Sequence, residues 1–183
     1  MENYLQSVKK QFEYYKHLGD STLNLLSYEE LIEKSSENQN SIAIIVNHIS
    51  GNMKSRWTNF LTEDGEKPWR NRDQEFVNSF SNKVDIINSW IEGWQCLNLA
   101  LNHISINDLN RIVYIRNQGH TVIEAINRQM MHYAYHIGQI ILIGKEIKDE
   151  NWVNLSIRKG QSSEYNNDKF SIDKGRRHFT EDL

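Results

Sequence analysis

Cysteine and proline are almost absent from this sequence. Its 183 residues include one cysteine, Cys96, and one proline, Pro68. A lone cysteine excludes an intramolecular disulfide and any zinc cluster built on cysteine, and it favours a reducing compartment. Because proline interrupts helices, a single proline favours long uninterrupted helices over a loop-rich β-sandwich.

Long apolar runs and a strong charge of one sign are also missing. Even residues 137–143 are interrupted by Gly138 and Gln139, whereas a membrane-spanning helix needs about 20 apolar residues. The first residues lack the basic start and apolar core of a signal peptide. The formal net charge of -3 favours neither nucleic acid nor an acidic membrane. We therefore expect a soluble, cytoplasmic protein without nucleic-acid or membrane partners.

The sequence does contain the apolar periodicity of amphipathic helices. Apolar residues recur at three- and four-residue spacing in four segments, which predicts four long helices. The first helix ends near residue 26, the second covers residues 41–62, and the last covers residues 121–148. The predicted inward faces are Leu5, Val8, Phe12 and Tyr15; Ile42, Ile45, Ile49, Met53 and Phe60; Phe80, Val84, Ile87, Ile91, Trp94 and Leu101; and Ile123, Ile126, Met130, Tyr133, Ile137 and Ile140.

The connections between these helices carry their own signals. Ser27 and Glu30 match a capping box, which predicts a short helix or turn. Residues 63–68 are rich in turn formers and end the second helix. The β-branched residues within 111–116, followed by a glycine-containing turn, allow a short hairpin before the last helix.

We find no domain boundary in the sequence. The pattern predicts one all-α domain over residues 1–183, a four-helix bundle with a polar C-terminal tail from about residue 150. Trp152, Leu155 and Phe170 are the residues expected to hold this tail against the bundle.

Three histidines are placed where a helical bundle holds a metal ion. His132 and His136 are four residues apart, so they lie about 40° apart on one helix face, as in zinc-binding His-x-x-x-His pairs. His48 is the best third ligand, since it lies at the margin of the second apolar stripe. Small or polar residues flank it, namely Ser41, Asn52, Ser55 and Asn59. The plainer alternative is three ordinary half-buried histidines.

The remaining histidines and the cysteine have plainer interpretations. His17 is expected on the surface, and His103 at the end of the third helix, where a cation interacts favourably with the helix dipole. His120 lies in a capping neighbourhood, and His178 lies in a mobile tail. Cys96 is expected to be a buried structural thiol, because it stands inside an apolar helix.

Arginines are dense in the connection after the second helix. Arg70 and Arg72, together with Asp73, either bind an anionic ligand at the end of the bundle or form local ion pairs in a solvated loop. Arg116 and Arg128 are open to the same two interpretations. The sequence has no signature of a serine-histidine-aspartate triad or of a phosphate-binding loop.

Several stretches together resemble the DinB-like superfamily, in a little-characterised branch of bacillithiol-transferase-like four-helix bundles. These stretches are residues 46–53 (VNHISGNM), 60–73 (FLTEDGEKPWRNRD), 128–139 (RQMMHYAYHIGQ) and 152–160 (WVNLSIRKG). The resemblance implies an up-down-down-up bundle that forms a homodimer. It also implies that His48, His132 and His136 bind a divalent metal, with zinc first and nickel, manganese or iron as alternatives.

The resemblance leaves three functions open. The leading one is a small-thiol S-transferase acting on electrophiles, with a thiol such as bacillithiol, mycothiol or glutathione as cosubstrate. The others are a metal-dependent hydrolase and a non-catalytic, metal-stabilised stress-response or binding protein. Arg72, Arg128 and Asn52 are candidates for binding the cosubstrate, and no catalytic residue is predicted. An open pocket favours transfer, a buried acid or base near the metal favours hydrolysis, and a fourth protein ligand that closes the site favours a structural role.

Overall fold

In the computed structural model, which describes residues 2–182, four long helices dominate the fold, as predicted. Residues 112–121 form the expected antiparallel hairpin, with Ile112 paired to Thr121 and Ile115 to Gln118. No helix in the described part of the chain is both long and apolar enough to cross a membrane. The helices and strands are α1 (Glu2–Leu25), α2 (Tyr28–Ile32), α3 (Ile42–Trp57), α4 (Lys83–His103), β1 (Ile112–Ile115), β2 (Gln118–Thr121), α5 (Val122–Lys148) and α6 (Ser162–Phe170).

The four long helices follow the up-down-down-up course. Helices α1 and α5 run parallel to each other, α3 and α4 run parallel to each other, and the two pairs run in opposite directions. Between α1 and α5, the contacts that fix these directions are Tyr4 with Ile123 and Thr22 with Gly144. For α3 and α4 they are Lys54 with Glu92 and Thr58, the residue after α3, with Cys96. For α1 and α4 they are Phe12 with Trp94 and Leu26, the residue after α1, with Lys83.

Side-chain caps determine where the helices begin. Ser27 forms the predicted capping box with Glu30, so the short helix at this position is confirmed. The Ser41 side chain accepts a hydrogen bond from the backbone of Ile44 at the start of α3. Thr121 forms a second capping box at the start of α5. Each cap satisfies a backbone N–H that has no partner within its helix.

Helix α3 is shorter than predicted, because it ends at Trp57 rather than near residue 62. Thr58 has an extended backbone, and Asn59 has a positive φ of 48°, a conformation that asparagine tolerates better than most residues. Phe60 is nevertheless buried from the loop, with its ring 4.8 Å from that of Trp57. The last apolar residue of the predicted stripe, Phe60, is therefore buried as expected, but it lies in the loop after α3 and not in the helix.

The buried face of α4 also differs from the predicted one. Val84 is 64% exposed and Ile91 is 38% exposed, whereas Ile86, Trp90 and Leu97 are fully buried. Apolar residues occur around much of this helix, and packing against both α1 and α3 selects which of them are covered. The spacing of apolar residues along α4 does not by itself predict which of them are buried.

The C-terminal tail contacts the bundle in a different way from that expected. Trp152 lies beside Gly144 and Leu155 packs against the core, but Phe170 is 84% exposed, so its predicted packing role is wrong. Farther along, the tail returns to α1. The ring of Phe179 packs edge-on against Tyr14, and His178 shares a hydrogen bond with a serine of α1.

Candidate metal centre

Helices α3 and α5 bring the three predicted histidines together. His48 lies on α3, and His132 and His136 lie one turn apart on the face of α5 that meets it. One ligand atom from each residue lies within 4.8 Å of the others. His48 is buried and the other two are half-buried. The three residues selected from the sequence therefore meet at one point between two antiparallel helices.

The Nε2 atoms of these histidines converge. Nε2 of His132 is 3.4 Å from Nε2 of His48 and 3.1 Å from Nε2 of His136. Zinc–nitrogen bonds are about 2.0–2.1 Å long, so two imidazoles on a tetrahedral ion have nitrogens about 3.3 Å apart. The observed separations fit ligation of a single ion.

The opposite ring nitrogens of two histidines face oxygen atoms that only accept hydrogen bonds. Nδ1 of His48 is 2.9 Å from Oε2 of Glu75, and Nδ1 of His136 is 2.7 Å from Oε1 of Gln139. The Gln139 amide keeps this orientation because its Nε2 donates to the Tyr135 hydroxyl. Neutral rings in this arrangement carry their proton on Nδ1, so each Nε2 presents a lone pair to the centre. Converging lone pairs fit a cation between them.

The pKa values on α5 favour the neutral imidazoles that metal ligation requires. Burial lowers the pKa of His132 to about 3, with further lowering from the nearby His136 and His48. Burial also lowers the pKa of His136, and the hydrogen bond with Gln139 opposes this shift in part. Both rings are therefore neutral at pH 7, and no proton has to leave them before a metal binds.

Glu75 is a functional candidate that the sequence patterns missed. It lies in a short 3₁₀ helix, Asp73–Phe76, in the connection between α3 and α4, and its side chain is only 8% exposed. Arg70 donates to both carboxylate oxygens, from Nε at 2.7 Å and from Nη2 at 2.8 Å. Burial alone would raise the pKa of Glu75, but the hydrogen bonds from His48 and Arg70 hold it below its usual range. An ionised carboxylate therefore orients His48.

Arg70 is consequently not free to bind a ligand. Its side chain is 2% exposed, and it pairs with Glu75 and also with Glu66 at 3.1 Å. Of the two interpretations of the arginine-rich connection, local ion pairing is the correct one for this residue. The prediction that Arg70 lies in a solvated loop is wrong, because the Arg70–Glu75 ion pair is buried.

A cavity of about 230 Å³ lies beside the histidines. Arg72, Arg116 and Arg128 are exposed at its rim, and the other lining side chains lie deeper. The candidates Arg72, Arg128 and Asn52 thus all reach the same cavity. Its lining residues are His48, Asn52, Arg56, Arg70, Arg72, Arg116, Arg128, Gln129 and His132.

The cavity is positively charged. Five of its lining residues are arginines. In the described part of the chain, Glu66 pairs with Arg56, Arg70 and Arg116, and Glu75 pairs with Arg70. Two carboxylates therefore face five guanidinium groups, and the surplus positive charge favours an anionic occupant.

The other single residues considered lie away from this centre. Cys96 is half-buried rather than fully buried, and it lines a separate cavity of about 370 Å³ together with His103. Nδ1 of His103 is 2.7 Å from the carbonyl oxygen of Leu99, which holds the ring at the end of α4. His120 lies on β2, where it contacts Arg128 at 3.1 Å. None of these residues joins the histidine cluster.

The fold and the histidine cluster define a class of protein: a four-helix bundle with a candidate metal centre between its second and fourth long helices. Within that class, residues 1–161 match the family described as "Protein of unknown function (DUF1572)", and the chain belongs to that family. The match includes the three histidines, Glu75 and the whole lining of the arginine cavity. No curated protein and no solved structure matches the chain.

Proposed function

We propose that this protein is a DinB-like, zinc-dependent S-transferase that joins a small thiol to an electrophile. The observation that carries the proposal is the convergence of three histidine Nε2 atoms at the wall of a positively charged cavity. The up-down-down-up course of the helices supports the DinB-like assignment. Nickel, manganese or iron are alternative ions for the same ligands, and a homodimer is the proposed assembly.

Each part of the site has a separate task in this proposal. His48, His132 and His136 would hold the divalent ion, and the ion would lower the pKa of a thiol bound beside them. Glu75 and Gln139 hold the rings of His48 and His136 in the orientation that ligation requires. Arg72 and Arg128 bind the anionic part of the cosubstrate and thereby position its sulfur. Cys96 takes no part, because the cosubstrate supplies the nucleophile.

Hydrolysis receives less support from the site. A hydrolase would need a general acid or base that faces the open position. Within residues 2–182, Glu75 is the carboxylate in contact with the cluster, and both of its oxygens already accept hydrogen bonds from His48 and Arg70. A purely structural metal would need a fourth ligand, whereas the described ligand cluster consists of three histidines.

The proposal is tested by supplying the zinc-loaded protein with a chloronitroaromatic electrophile and a panel of small thiols. We expect loss of the electrophile only when both zinc and a suitable thiol are present. His136→Ala should abolish the reaction, whereas Cys96→Ser and His103→Ala should leave its rate nearly unchanged. Turnover without any thiol would support hydrolysis instead. Stoichiometric zinc with no turnover across the panel would contradict the transferase.

A further inference from the structure

Two arginines of the cavity have no carboxylate partner in the part of the chain that the structure describes. The Arg72 guanidinium lies 4.9 Å over the ring of Phe76, which in turn stacks on His48. Nη1 of Arg128 is 3.1 Å from Nε2 of His120, a nitrogen that accepts without neutralising the charge. Because a guanidinium has five N–H groups, both residues keep donors available for a ligand.

Two deeper lining residues contain polar atoms without hydrogen-bond partners. Arg56 is 5% exposed and Gln129 is 3% exposed. Among the described residues, Nε of Arg56 has no acceptor and Oε1 of Gln129 has no donor. Buried polar groups are nearly always paired in proteins, so these two atoms leave one donor and one acceptor unsatisfied in the wall behind any occupant of the cavity.

The charge of the cavity indicates which chemical group this occupant carries. Arg70 is fully engaged by Glu75, and Nε of Arg116 lies 3.4 Å from Glu66. The uncompensated charge therefore centres on Arg72, which immediately precedes the 3₁₀ helix Asp73–Phe76, and on Arg128 of α5; both residues line the cavity. Two guanidinium groups on separate elements match a group with at least two negative charges better than a single carboxylate.

We propose that the cavity is an oxyanion subsite for small molecules that carry a dianionic group, either a phosphate monoester or a pair of carboxylates. Arg72 and Arg128 hold the oxyanion at the rim, and Arg56 lies beneath it. Only the identification of this molecule as the thiol cosubstrate rests on the proposed function. Binding of the anion itself requires neither metal nor turnover.

Calorimetric titration of the full chain tests the subsite. The probes are inorganic phosphate, succinate and acetate, each at two ionic strengths. We expect phosphate or succinate to bind more tightly than acetate, and added salt to weaken binding. Arg72→Gln and Arg128→Gln should each weaken binding of the dianion about tenfold or more. Arg158→Gln is the matched control, because it removes the same charge from an exposed residue outside the cavity and should have no effect.

A metal-poor variant separates the subsite from the metal centre. Phosphate should still bind to His136→Ala, with an affinity that Arg72→Gln lowers in that background as well. Loss of phosphate binding in His136→Ala, with retention in both arginine variants, would place the anion on the metal and overturn the subsite. No saturable binding of any probe, tighter binding of acetate, or equal weakening by Arg158→Gln would also overturn it. Absence of thiol transfer with arginine-dependent anion binding intact would contradict the proposed function alone.

Discussion

Replacing Glu75 with glutamine should weaken metal binding while leaving the bundle folded. The amide keeps the shape of the carboxylate but has only one accepting oxygen. In the native site His48 and Arg70 together donate to both oxygens of Glu75. After the substitution, Arg70 loses one of its two hydrogen bonds in either orientation of the amide, because Nε faces Oε1 and Nη2 faces Oε2. His48 loses its orienting hydrogen bond when the NH₂ group takes the place of Oε2, and in the other orientation it donates to a neutral amide oxygen instead of a carboxylate.

The size of the effect follows from these contacts. Loss of a hydrogen bond that orients a metal ligand lowers metal affinity by about 10- to 100-fold, which corresponds to about 1.4–2.7 kcal/mol. The free energy of unfolding should also fall, because the buried Arg70 loses part of its neutralising charge. Arg70 retains Glu66 at 3.1 Å, so we expect the loss to stay below the roughly 3–5 kcal/mol of a fully broken buried ion pair.

Competition with a chromophoric chelator measures the zinc Kd, and circular dichroism measures the melting temperature without metal. Glu92→Gln is the matched control, because it makes the same change in an ion-paired carboxylate that is 60% exposed. That control should leave both quantities unchanged. Native zinc affinity in Glu75→Gln, alongside a large loss in His48→Ala, would refute a role for Glu75 in positioning His48.

Three further predictions concern stability. Chelation of zinc should lower the melting temperature by removing about 2.7 kcal/mol of binding energy at a free metal concentration near 100 Kd, and complete loss of helicity would contradict a self-sufficient core. Without metal, the pKa of His132 lies near 3 in the folded protein, below its ordinary value. The contribution of neutral His132 to the free energy of unfolding should therefore be fully present above about pH 6.5 and decrease as the pH falls below that value. The reason is that His132 takes up its proton at a higher pH in the unfolded chain than in the folded protein. The melting temperature of His132→Gln should change less between pH 7 and pH 5, and an identical change would contradict this origin. Gly93→Ala should destabilise the bundle by about 1–3 kcal/mol in denaturant titrations, because its Cβ would lie 2.9 Å from the Cα of Ser50. Gly138→Ala, where nothing lies within 4 Å, is its control and should be neutral or stabilising.

Features encoded by neighbouring residues were predictable from the sequence. Capping boxes, helical periodicity and the four-residue spacing of His132 and His136 each depend on a single turn of chain, and all three appear in the structure. His48 required a comparison between two helices. Its place at the margin of an apolar stripe made it the best third candidate, and the resemblance to the DinB-like superfamily supported the same residue. The exposure of Val84 was not predictable, because it depends on which neighbours cover α4.

The residues around the histidines were harder to predict because a loop supplies them. Glu75 is 27 residues from His48 in sequence, and no spacing rule connects a loop carboxylate to a helical imidazole at that distance. The arginine-rich connection was conspicuous, but its charges did not indicate that Arg70 turns inward while Arg72 remains at the surface. Tertiary packing makes that distinction.

The 3₁₀ helix Asp73–Phe76 links the two halves of the site within a few residues. Arg72 precedes this turn at the cavity rim, Phe76 lies between that arginine and the ring of His48, and Glu75 accepts from Nδ1 of the same ring. An anion that shifts Arg72 and an ion that fixes His48 therefore act on one short piece of backbone. Thermodynamic reciprocity then requires that whatever factor the anion imposes on metal affinity, the metal imposes on anion affinity. For the metal and the anion proposed above, any coupling through this turn would therefore be seen twice, as a change in metal affinity when the anion is added and as an equal change in anion affinity when the metal is added.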